Sequence, residues 1–178
     1  MLIDRARAFA LGAHAAVNQR RRYTDEPYAV HLAEVAAMVA AVPDATADMV
    51  AVAWLHDTVE DTAVPLAVIE AEFGATVAQL VDELTAVSRP EDGDRATRKA
   101  RDRAHTARAS AAAQTVKAAD LISNLRTVEA RDPAFAMVYM REKRALLDVL
   151  TRADRSLLDD VCAIIGDYFA RQAVAEGE

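Results

Sequence analysis

Apolar residues recur three or four positions apart along almost the whole chain, and this spacing constrains the fold more than any other feature. No stretch alternates apolar and polar residues in the way that a half-buried strand requires. Glycine and proline, which interrupt helices, number only five each among 178 residues. The pattern therefore predicts an all-α fold. The length is typical of one domain, so we predict a single-domain helical bundle of about eight to ten helices over residues 1–178.

The same periodicity places the helices along the chain. The predicted ranges are approximately 3–18, 28–42, 46–61, 65–74, 75–87, 94–109, 110–131, 133–153 and 155–169. The third range is apolar on nearly every side as far as Leu55, which is typical of a helix at the centre of a core. Residues 88–110 begin with a proline- and glycine-containing loop and continue into a helix without an apolar face. We expect this segment to be solvated and mobile.

Acidic side chains outnumber basic ones by 28 to 21, for a formal charge of −7. This balance argues against sequence-independent binding to DNA or RNA, which depends on many lysine and arginine contacts. Basic residues nevertheless cluster at residues 20–22 and 95–108, where they could attract a small polyanion. The sequence is compatible with a homo-oligomer as well as with a monomer.

No apolar run approaches the length of a membrane span, and no secretory segment is recognisable, so we expect no membrane partner. The chain has one cysteine, Cys162, which cannot form an internal disulfide. We expect it to be a buried apolar residue. These features predict a reduced, cytoplasmic location.

Two of the four histidines lie in helices that are predicted to pack in the core, where polar residues are uncommon. His31 lies in an amphipathic helix, and His56 and Asp57 directly follow the apolar helix. Imidazole nitrogens and carboxylate oxygens together suit Mn²⁺, Fe²⁺ or Zn²⁺. Adjacent His56 and Asp57 can bind one ion if the helix bends or ends there, or if their side chains splay. With Asp120 from a distant helix, they form a predicted set of four metal ligands.

More polar residues follow these at a spacing of one helical turn. Glu60 lies one turn beyond His56, Asp61 one turn beyond Asp57, and Asn124 one turn beyond Asp120. Carboxylates crowded in this way repel one another unless a cation binds among them. A single histidine or aspartate in a helix is more often a hydrogen-bonded core residue, but the three segments together favour a metal site.

Three blocks in this order resemble the HD superfamily, and more closely the hydrolase domains of RelA/SpoT-type alarmone enzymes and their free-standing small relatives. The blocks are Glu-Pro-Tyr-Ala-Val-His at 26–31 with Arg22 before it, Trp-Leu-His-Asp-Thr-Val-Glu-Asp-Thr at 54–62, and Val-Lys-Ala-Ala-Asp-Leu-Ile-Ser-Asn-Leu-Arg-Thr at 116–127. A lone His-Asp pair occurs by chance in many proteins. The longer central block flanked by the other two is specific.

The resemblance implies an HD-type helical fold and hydrolysis of the 3′-pyrophosphate of guanosine tetra- or pentaphosphate, with Mn²⁺ as the usual metal. It implies that the metal ligands are His31, His56, Asp57 and Asp120. It implies that Glu60 and Asp61 activate or position the attacking water, and that Arg22 and Asn124 contact the nucleotide.

The chain also departs from the family pattern near the expected substrate site. His31 is followed by Leu32 where proline is common, Tyr23–Asp25 replace a segment that commonly contains glycine, and Ser123 replaces a histidine or aromatic residue. These departures motivate one alternative, an HD phosphohydrolase acting on NADPH or a nucleoside monophosphate. Another alternative is a regulatory module that binds nucleotide without hydrolysing it. The presence of both Glu60 and Asp61 favours an enzyme.

Overall fold

The structure of the chain, a computed structural model, describes residues 1–175. Over this range the chain folds into ten α-helices without a β-strand, so the prediction of an all-α fold is confirmed. The helices are α1 Leu2–Ala16, α2 Ala29–Ala40, α3 Ala47–Leu55, α4 Thr58–Asp61, α5 Leu66–Phe73, α6 Ala75–Leu84, α7 Arg95–Thr106, α8 Ala111–Arg131, α9 Pro133–Leu147 and α10 Arg155–Ala175.

Helix α3 lies at the centre of the core. Every residue from Met49 to Leu55 is buried, and α3 packs against α1, α2, α6 and α8. A helix that is apolar on all sides must be covered on all sides, which explains this position. Thr46 begins the helix by accepting a hydrogen bond from the backbone N–H of Met49 (3.2 Å). The buried helix thereby carries the residues at its C-terminal end into the interior.

The sequence predicted that this helix continues to Asp61, and that prediction was wrong. Helix α3 ends at Leu55, His56 and Asp57 form a turn, and the short helix α4 then begins at Thr58. The imidazole Nδ1 of His56 donates to the Ala53 carbonyl (2.9 Å), as polar side chains do at helix ends. The helix thus ends at this point, which is one of the arrangements that allow adjacent His56 and Asp57 to face one ion.

Helix α7 lies outside this core, whereas α9 buries Ala136, Met140 and Leu146 in it and presents polar residues to α7. As the sequence predicted for a helix without an apolar face, α7 contains no buried residue. Arg95 of α7 forms two hydrogen bonds with Glu142 of α9 (2.7 and 2.9 Å). The mobility of residues 88–110 and the single-domain boundary at 1–178 stay predictions.

Cys162 is exposed, so the prediction that it is buried was wrong. The buried residues of α10 are Leu157, Val161, Ile165 and Tyr168, and Cys162 lies one position away from that face. Within residues 1–175, no helix combines the length and the apolar character needed to cross a membrane. The cytoplasmic location and the homo-oligomer stay predictions.

Candidate metal centre and its flanking cavities

The hydrogen bonds of His56 leave one of its ring nitrogens available as a ligand. Its Nδ1 lies 2.9 Å from the Ala53 carbonyl oxygen, which can only accept, so Nδ1 carries a proton. In a neutral imidazole the other nitrogen, Nε2, then has a free lone pair. His56 is almost fully buried, so this lone pair points into the interior of the protein.

His31 on α2 also has a protonated Nδ1, which leaves its Nε2 available as a ligand, but its hydrogen-bond partner is a hydroxyl group. Its Nδ1 lies 2.9 Å from the Ser123 hydroxyl on α8, and that hydroxyl donates its single proton to Glu34 (2.5 Å). The hydroxyl oxygen must therefore accept from His31 Nδ1. Both imidazoles thus direct Nε2 to a shared point, with the two nitrogens 3.2 Å apart.

Two carboxylates lie beside this pair of nitrogens. Asp57 Oδ2 is 3.0 Å from His56 Nε2 and 3.4 Å from His31 Nε2. Asp120 Oδ1 is 3.4 Å from His31 Nε2 and 3.8 Å from His56 Nε2. A metal with ligand bonds of about 2.1 Å separates neighbouring ligands by about 3.0–3.4 Å. The donor atoms of His31, His56 and Asp57 all lie within 4.8 Å of one another, close enough to share one divalent cation, and Asp120 lies beside both imidazoles.

The charges at this point are strongly coupled. Burial opposes a charge on His31, but the hydrogen bonds to Asp120 and Asp57 outweigh it and raise the pKa of His31 to about 9. Burial opposes the ionised form of Asp57 too, yet the adjacent His56 holds the pKa of Asp57 well below its usual range. Protons on the imidazoles therefore offset the charge of the two carboxylates, and a divalent cation would take over this role.

Asp120 is oriented by two neighbours on its own helix. Lys117 Nζ donates to Asp120 Oδ2 (2.8 Å), and Asn124 Nδ2 donates to Asp120 Oδ1 (2.6 Å). These residues lie three positions before and four positions after Asp120 on α8, where helical geometry places them on the same face. Burial opposes ionisation of Asp120, but Lys117 in particular lowers the pKa of the carboxyl group far below its usual value.

Asp57 has a corresponding partner in Tyr28, whose hydroxyl donates to Asp57 Oδ2 (2.5 Å). The ring of Tyr28 lies against His31, with centroids 5.2 Å apart, and stacks on His14 at 4.9 Å. Burial and the neighbouring Asp57 raise the pKa of Tyr28 above its ordinary value, so the phenol keeps its proton. Tyr28 therefore acts as a neutral donor that orients a predicted ligand.

Glu60 and Asp61 lie on the short helix α4 but have different partners. Glu60 Oε2 accepts from the backbone N–H of Ala86 (3.0 Å), and Asp61 Oδ2 accepts from the side-chain amide of Gln19 (2.7 Å). Both carboxylates are open to solvent, yet partial desolvation and the negative charge of Asp57 raise the pKa of each. The two predicted catalytic groups therefore face two different spaces.

These two spaces are cavities on either side of the candidate metal centre. The larger, about 320 Å³, is named here the arginine cavity, and its lining includes Arg20, Arg21, Arg22, Tyr23, Asp61, Arg95, Asn124 and the ligand His31. The smaller, about 90 Å³, is named the lysine cavity, and its lining includes Glu60, Lys99, Arg103, Lys117 and Lys143. Arg22 and Asn124, predicted to bind substrate, thus lie in the same cavity as Asp61.

The three consecutive arginines have three different environments. Arg20 pairs with the Asp25 side chain (2.7 Å), and buried Arg21 bonds to Glu34 (3.1 Å) and Ser123 (2.9 Å). Within residues 1–175, Arg22 forms no ion pair and lies over the ring of Tyr23. Asp25 has φ = 56°, a conformation that glycine adopts most easily and that aspartate tolerates. Its charge is compensated by Arg20, which leaves Arg22 for another partner.

Sequence reasoning missed several residues that orient the site, namely Tyr28, Ser123, Lys117, Gln19 and His14. Lys117 could have been found from its spacing to Asp120, since three residues separate contacts on one helix face. His14 lies outside the three blocks, yet it is buried and its ring nitrogen lies 2.5 Å from the Gln19 amide oxygen. Ser123 was noted only as a departure from the family pattern, because its contact with His31 joins distant parts of the chain.

The sequence model of the HD domain family matches residues 6–154. The chain belongs to the HD domain family. The grouping of His31, His56 and Asp57 within reach of one ion agrees with this membership, since the family implies a divalent metal. The predicted resemblance to this family is therefore confirmed.

Relatives of this HD domain have names that concern the alarmone ppGpp. It is 36% identical over 146 residues, 80% of its length, to a probable guanosine-3′,5′-bis(diphosphate) 3′-pyrophosphohydrolase of Synechocystis sp.. It is 37% identical over 87 residues, 49% of its length, to an enzyme of that name from Aquifex aeolicus. The chain spans only 19% and 12% of those relatives.

A solved structure described as a metazoan ortholog of SpoT that hydrolyses ppGpp has the same fold. The two chains superimpose with a TM-score of 0.82, covering 94% of this chain and 95% of the other, at 24% sequence identity. The prediction of an HD-type helical bundle is therefore confirmed. At this level of identity the similarity establishes the fold, whereas the roles of individual site residues stay predictions.

Proposed function

We propose that this HD domain is a metal-dependent phosphohydrolase that removes the 3′-pyrophosphate group from guanosine 3′,5′-bis(diphosphate), ppGpp, and from its pentaphosphate form. The observation that carries the proposal is the convergence of two imidazoles and two carboxylates beside a cavity lined by arginines. The names of the Synechocystis and Aquifex relatives support the choice of substrate.

We assign the metal site to His31, His56, Asp57 and Asp120, with Mn²⁺ as the ion. The nitrogen and oxygen donor set suits this ion, and the ligand set contains no thiolate. A divalent cation in this position supplies Lewis acidity that polarises a phosphoryl oxygen and makes water more acidic. The orienting contacts from Ser123, Tyr28 and Lys117 hold the donor atoms in place before the cation binds.

The proposed reaction replaces one phosphorus–oxygen bond with another. The oxygen of a water molecule bonds to the phosphorus attached to the 3′ oxygen, and the bond from that phosphorus to the 3′ oxygen breaks. Asp61 or Glu60 accepts the proton of the water, and the 3′ oxygen gains a proton, so that ppGpp yields GDP and pyrophosphate. The raised pKa of both carboxyl groups makes them stronger bases than ordinary carboxylates.

The nucleotide is assigned to the arginine cavity. Its volume of about 320 Å³ lies at the lower end of the range of roughly 300–1,000 Å³ found for small-molecule pockets. Arg22 is suited to a phosphate or a base, because a guanidinium can donate to phosphate oxygens and stack on an aromatic plane. Asn124 lies between this cavity and Asp120, where its amide can contact the ribose or the scissile phosphate.

The test is to incubate the purified protein with ppGpp and Mn²⁺ and to measure GDP and pyrophosphate. We expect both products in equal amounts and their loss when a chelator removes the metal. A parallel panel contains NADPH and nucleoside monophosphates, the substrates of the alternative hydrolase. No release from ppGpp by metal-loaded protein would overturn the substrate assignment, and turnover of a panel compound would replace it.

A Glu60→Gln variant separates an enzyme from a regulatory module that only binds nucleotide. We expect this variant to keep its metal and its affinity for ppGpp, and to lose about 100- to 10,000-fold in kcat. Glu70→Gln on the exposed surface of α5 is the matched control and should hydrolyse ppGpp at the wild-type rate. A wild-type protein that binds ppGpp without turnover would support the regulatory module instead.

A further inference from the structure

The lysine cavity adjoins the candidate metal centre through Lys117 and is distinct from the arginine cavity. Lys117 lines it and reaches Asp120 Oδ2 (2.8 Å), while Asn124, in the arginine cavity, reaches Asp120 Oδ1 (2.6 Å). Glu60 lines the lysine cavity and Asp61 lines the arginine cavity. The two cavities therefore approach the same predicted ligand from different directions.

Two side-chain pairs form a wall between the cavities. Arg95 of the arginine cavity bonds to Glu142 of the lysine cavity through both carboxylate oxygens (2.7 and 2.9 Å). The Lys143 amine lies 4.8 Å from the ring centroid of Tyr139, with Tyr139 in the arginine cavity and Lys143 in the lysine cavity. These pairs separate the two cavities on the side of α7 and α9, and the contacts of Lys117 and Asn124 with Asp120 connect both cavities to the candidate metal centre.

Each acidic side chain of the lysine cavity accepts a hydrogen bond, with Glu60 bonded to the backbone N–H of Ala86 (3.0 Å), whereas two of the cations have no such partner. Asp102 accepts from the backbone N–H and the hydroxyl of Ser88, both at 2.9 Å, and Glu142 is paired with Arg95. Among residues 1–175, the side chains of Lys143 and Arg103 form no hydrogen bond or ion pair. Partly buried cations without a counter-ion favour the binding of an anion.

The environment of Lys143 also favours the binding of an anion. Burial, together with the positive charge of Lys117, lowers the pKa of Lys143 to about 8. A cation that repels its neighbours in this way is stabilised when an anion is placed among them. Lys99 adds a further positive charge to the lining of the lysine cavity, where its amine lies 3.7 Å from Asp102.

The size of the cavity limits the anion that it can hold. Pockets for drug-sized ligands measure roughly 300–1,000 Å³, so about 90 Å³ has room for a small group and not for a nucleoside. A phosphate group has this size and offers several acceptor oxygens to lysine and arginine donors.

We propose that the lysine cavity binds the terminal phosphate of the scissile pyrophosphate group and, after cleavage, holds the pyrophosphate product through Lys143, Arg103 and Lys99. This assignment rests on the proposed function for its account of the substrate. A nucleoside in the arginine cavity places its 3′ oxygen at the metal centre, and the second phosphate of the 3′ group then extends into the space beyond. The lysine cavity is that space.

The test is calorimetric titration of inorganic pyrophosphate into metal-loaded protein from which unbound metal has been removed. Wild-type protein should bind pyrophosphate, and Lys143→Gln should weaken binding by about tenfold, whereas Lys143→Arg should retain most of it. Arg141→Gln is the matched control, since it removes the same charge from an exposed position on the same helix. Arg22→Gln tests the arginine cavity, and it should leave pyrophosphate binding within about twofold of wild type.

Equal binding by Lys143→Gln and wild type would overturn the proposal, as would an equal loss in Arg141→Gln. Loss in Arg22→Gln alone would place pyrophosphate in the arginine cavity and would also overturn it. Thermal unfolding shows whether Lys143→Gln is folded. If it is not, Lys99→Gln replaces it, and we expect this variant to bind pyrophosphate about threefold more weakly than wild type. Pyrophosphate binding by Lys99→Gln that equals wild type would then overturn the proposal. Direct binding of pyrophosphate does not depend on turnover of ppGpp, so failure of the proposed function and failure of this assignment give different results.

Discussion

The metal centre and the cavities beside it are built from different parts of the molecule. The predicted ligands belong to α2, the turn after α3, and α8, and α8 alone contributes twelve buried residues to the core. The cavities are lined by the loop before α2 and by α7 and α9, and α7 has no buried residue at all. Core packing therefore positions the predicted ligands, whereas polar pairs at the surface form much of the cavity lining.

This difference has a consequence for how each part responds to change. The predicted ligands are oriented by hydrogen bonds to buried groups. They have few alternative positions, since the surrounding core is closely packed. The cavity walls depend on exposed pairs such as Arg95 with Glu142, which contribute less to stability and can rearrange. Substitutions at the metal centre should therefore abolish function, and substitutions in the cavities should adjust it.

The largest effect is expected for Asp57→Asn. Replacing the carboxylate removes a predicted charged ligand that lies 3.0 Å from His56 Nε2 and 3.4 Å from His31 Nε2. We expect loss of bound metal and a fall in hydrolysis on the order of a thousandfold or more. Metal analysis and a product assay measure this, with Asp159→Asn on α10 as an exposed control. Full metal content and activity in Asp57→Asn would contradict the ligand assignment.

Metal binding should depend on pH, because the metal and a proton compete for His31. The pKa of His31 in the folded, metal-free protein is about 9, against 6.5 when unfolded. Protonated His31 therefore stabilises the metal-free protein fully below pH 6.5, and this contribution is lost as the pH rises through 9. Metal affinity should rise over the same window, by up to about tenfold for each pH unit per proton released.

Thermal unfolding of the metal-loaded and metal-free forms measures this competition. The difference in Tm between the two forms should widen as the pH increases from 6.5 to 9. A difference that stays constant or narrows would mean that the metal does not displace a proton from His31.

A smaller effect is expected for Ser123→Ala, which removes the acceptor of the His31 Nδ1 proton. The ring can then rotate or change tautomer, so metal affinity should fall by about 10- to 100-fold. Arg21 and Glu34 lose the same hydroxyl, and Arg21 still donates to the Ser123 carbonyl (2.9 Å). Ser156→Ala at the exposed start of α10 is the control. Unchanged metal affinity in Ser123→Ala would show that core packing alone orients His31.

The smallest effect is expected for Arg22→Gln in the arginine cavity. This side chain touches no predicted ligand, so metal content and kcat should stay near wild type while KM for ppGpp rises about tenfold. Arg20→Gln is a useful comparison, because Arg20 is already paired with Asp25 and should matter less. A fall in kcat without a change in KM would place Arg22 in the chemical step instead of in binding.

Much of the metal centre could be predicted because its residues carry their chemistry in short segments. Histidine and aspartate beside a helix that is apolar on all sides have few structural explanations, and Glu60, Asp61 and Asn124 follow at one-turn spacing. A break at His56 and Asp57 was one of the options that shared metal binding left open, but the sequence could not decide for it, since no glycine or proline there marks a helix end. It depends on how His56 and Asp57 meet side chains from other helices.

The cavities could be predicted only in outline. The arginine and lysine residues were visible as two basic clusters, but their sequence does not say which charges are already paired. Arg20, Arg21 and Arg22 are identical in type and adjacent in the chain, yet one pairs locally, one is buried and one is available. The difference arises from their partners, and the partner of Arg21 on α8 is 102 positions away.

The sequence by itself determined that the protein is helical, that it belongs with HD domains, and which four residues are candidate ligands, because periodicity and residue chemistry are local properties. The tertiary structure alone decided that His31 and His56 direct the same nitrogen to one point, that Glu60 and Asp61 face separate cavities, and that Lys143 has no anionic partner among residues 1–175. Those features depend on which distant side chains meet, and hydrogen bonds and charges act only over short distances in space.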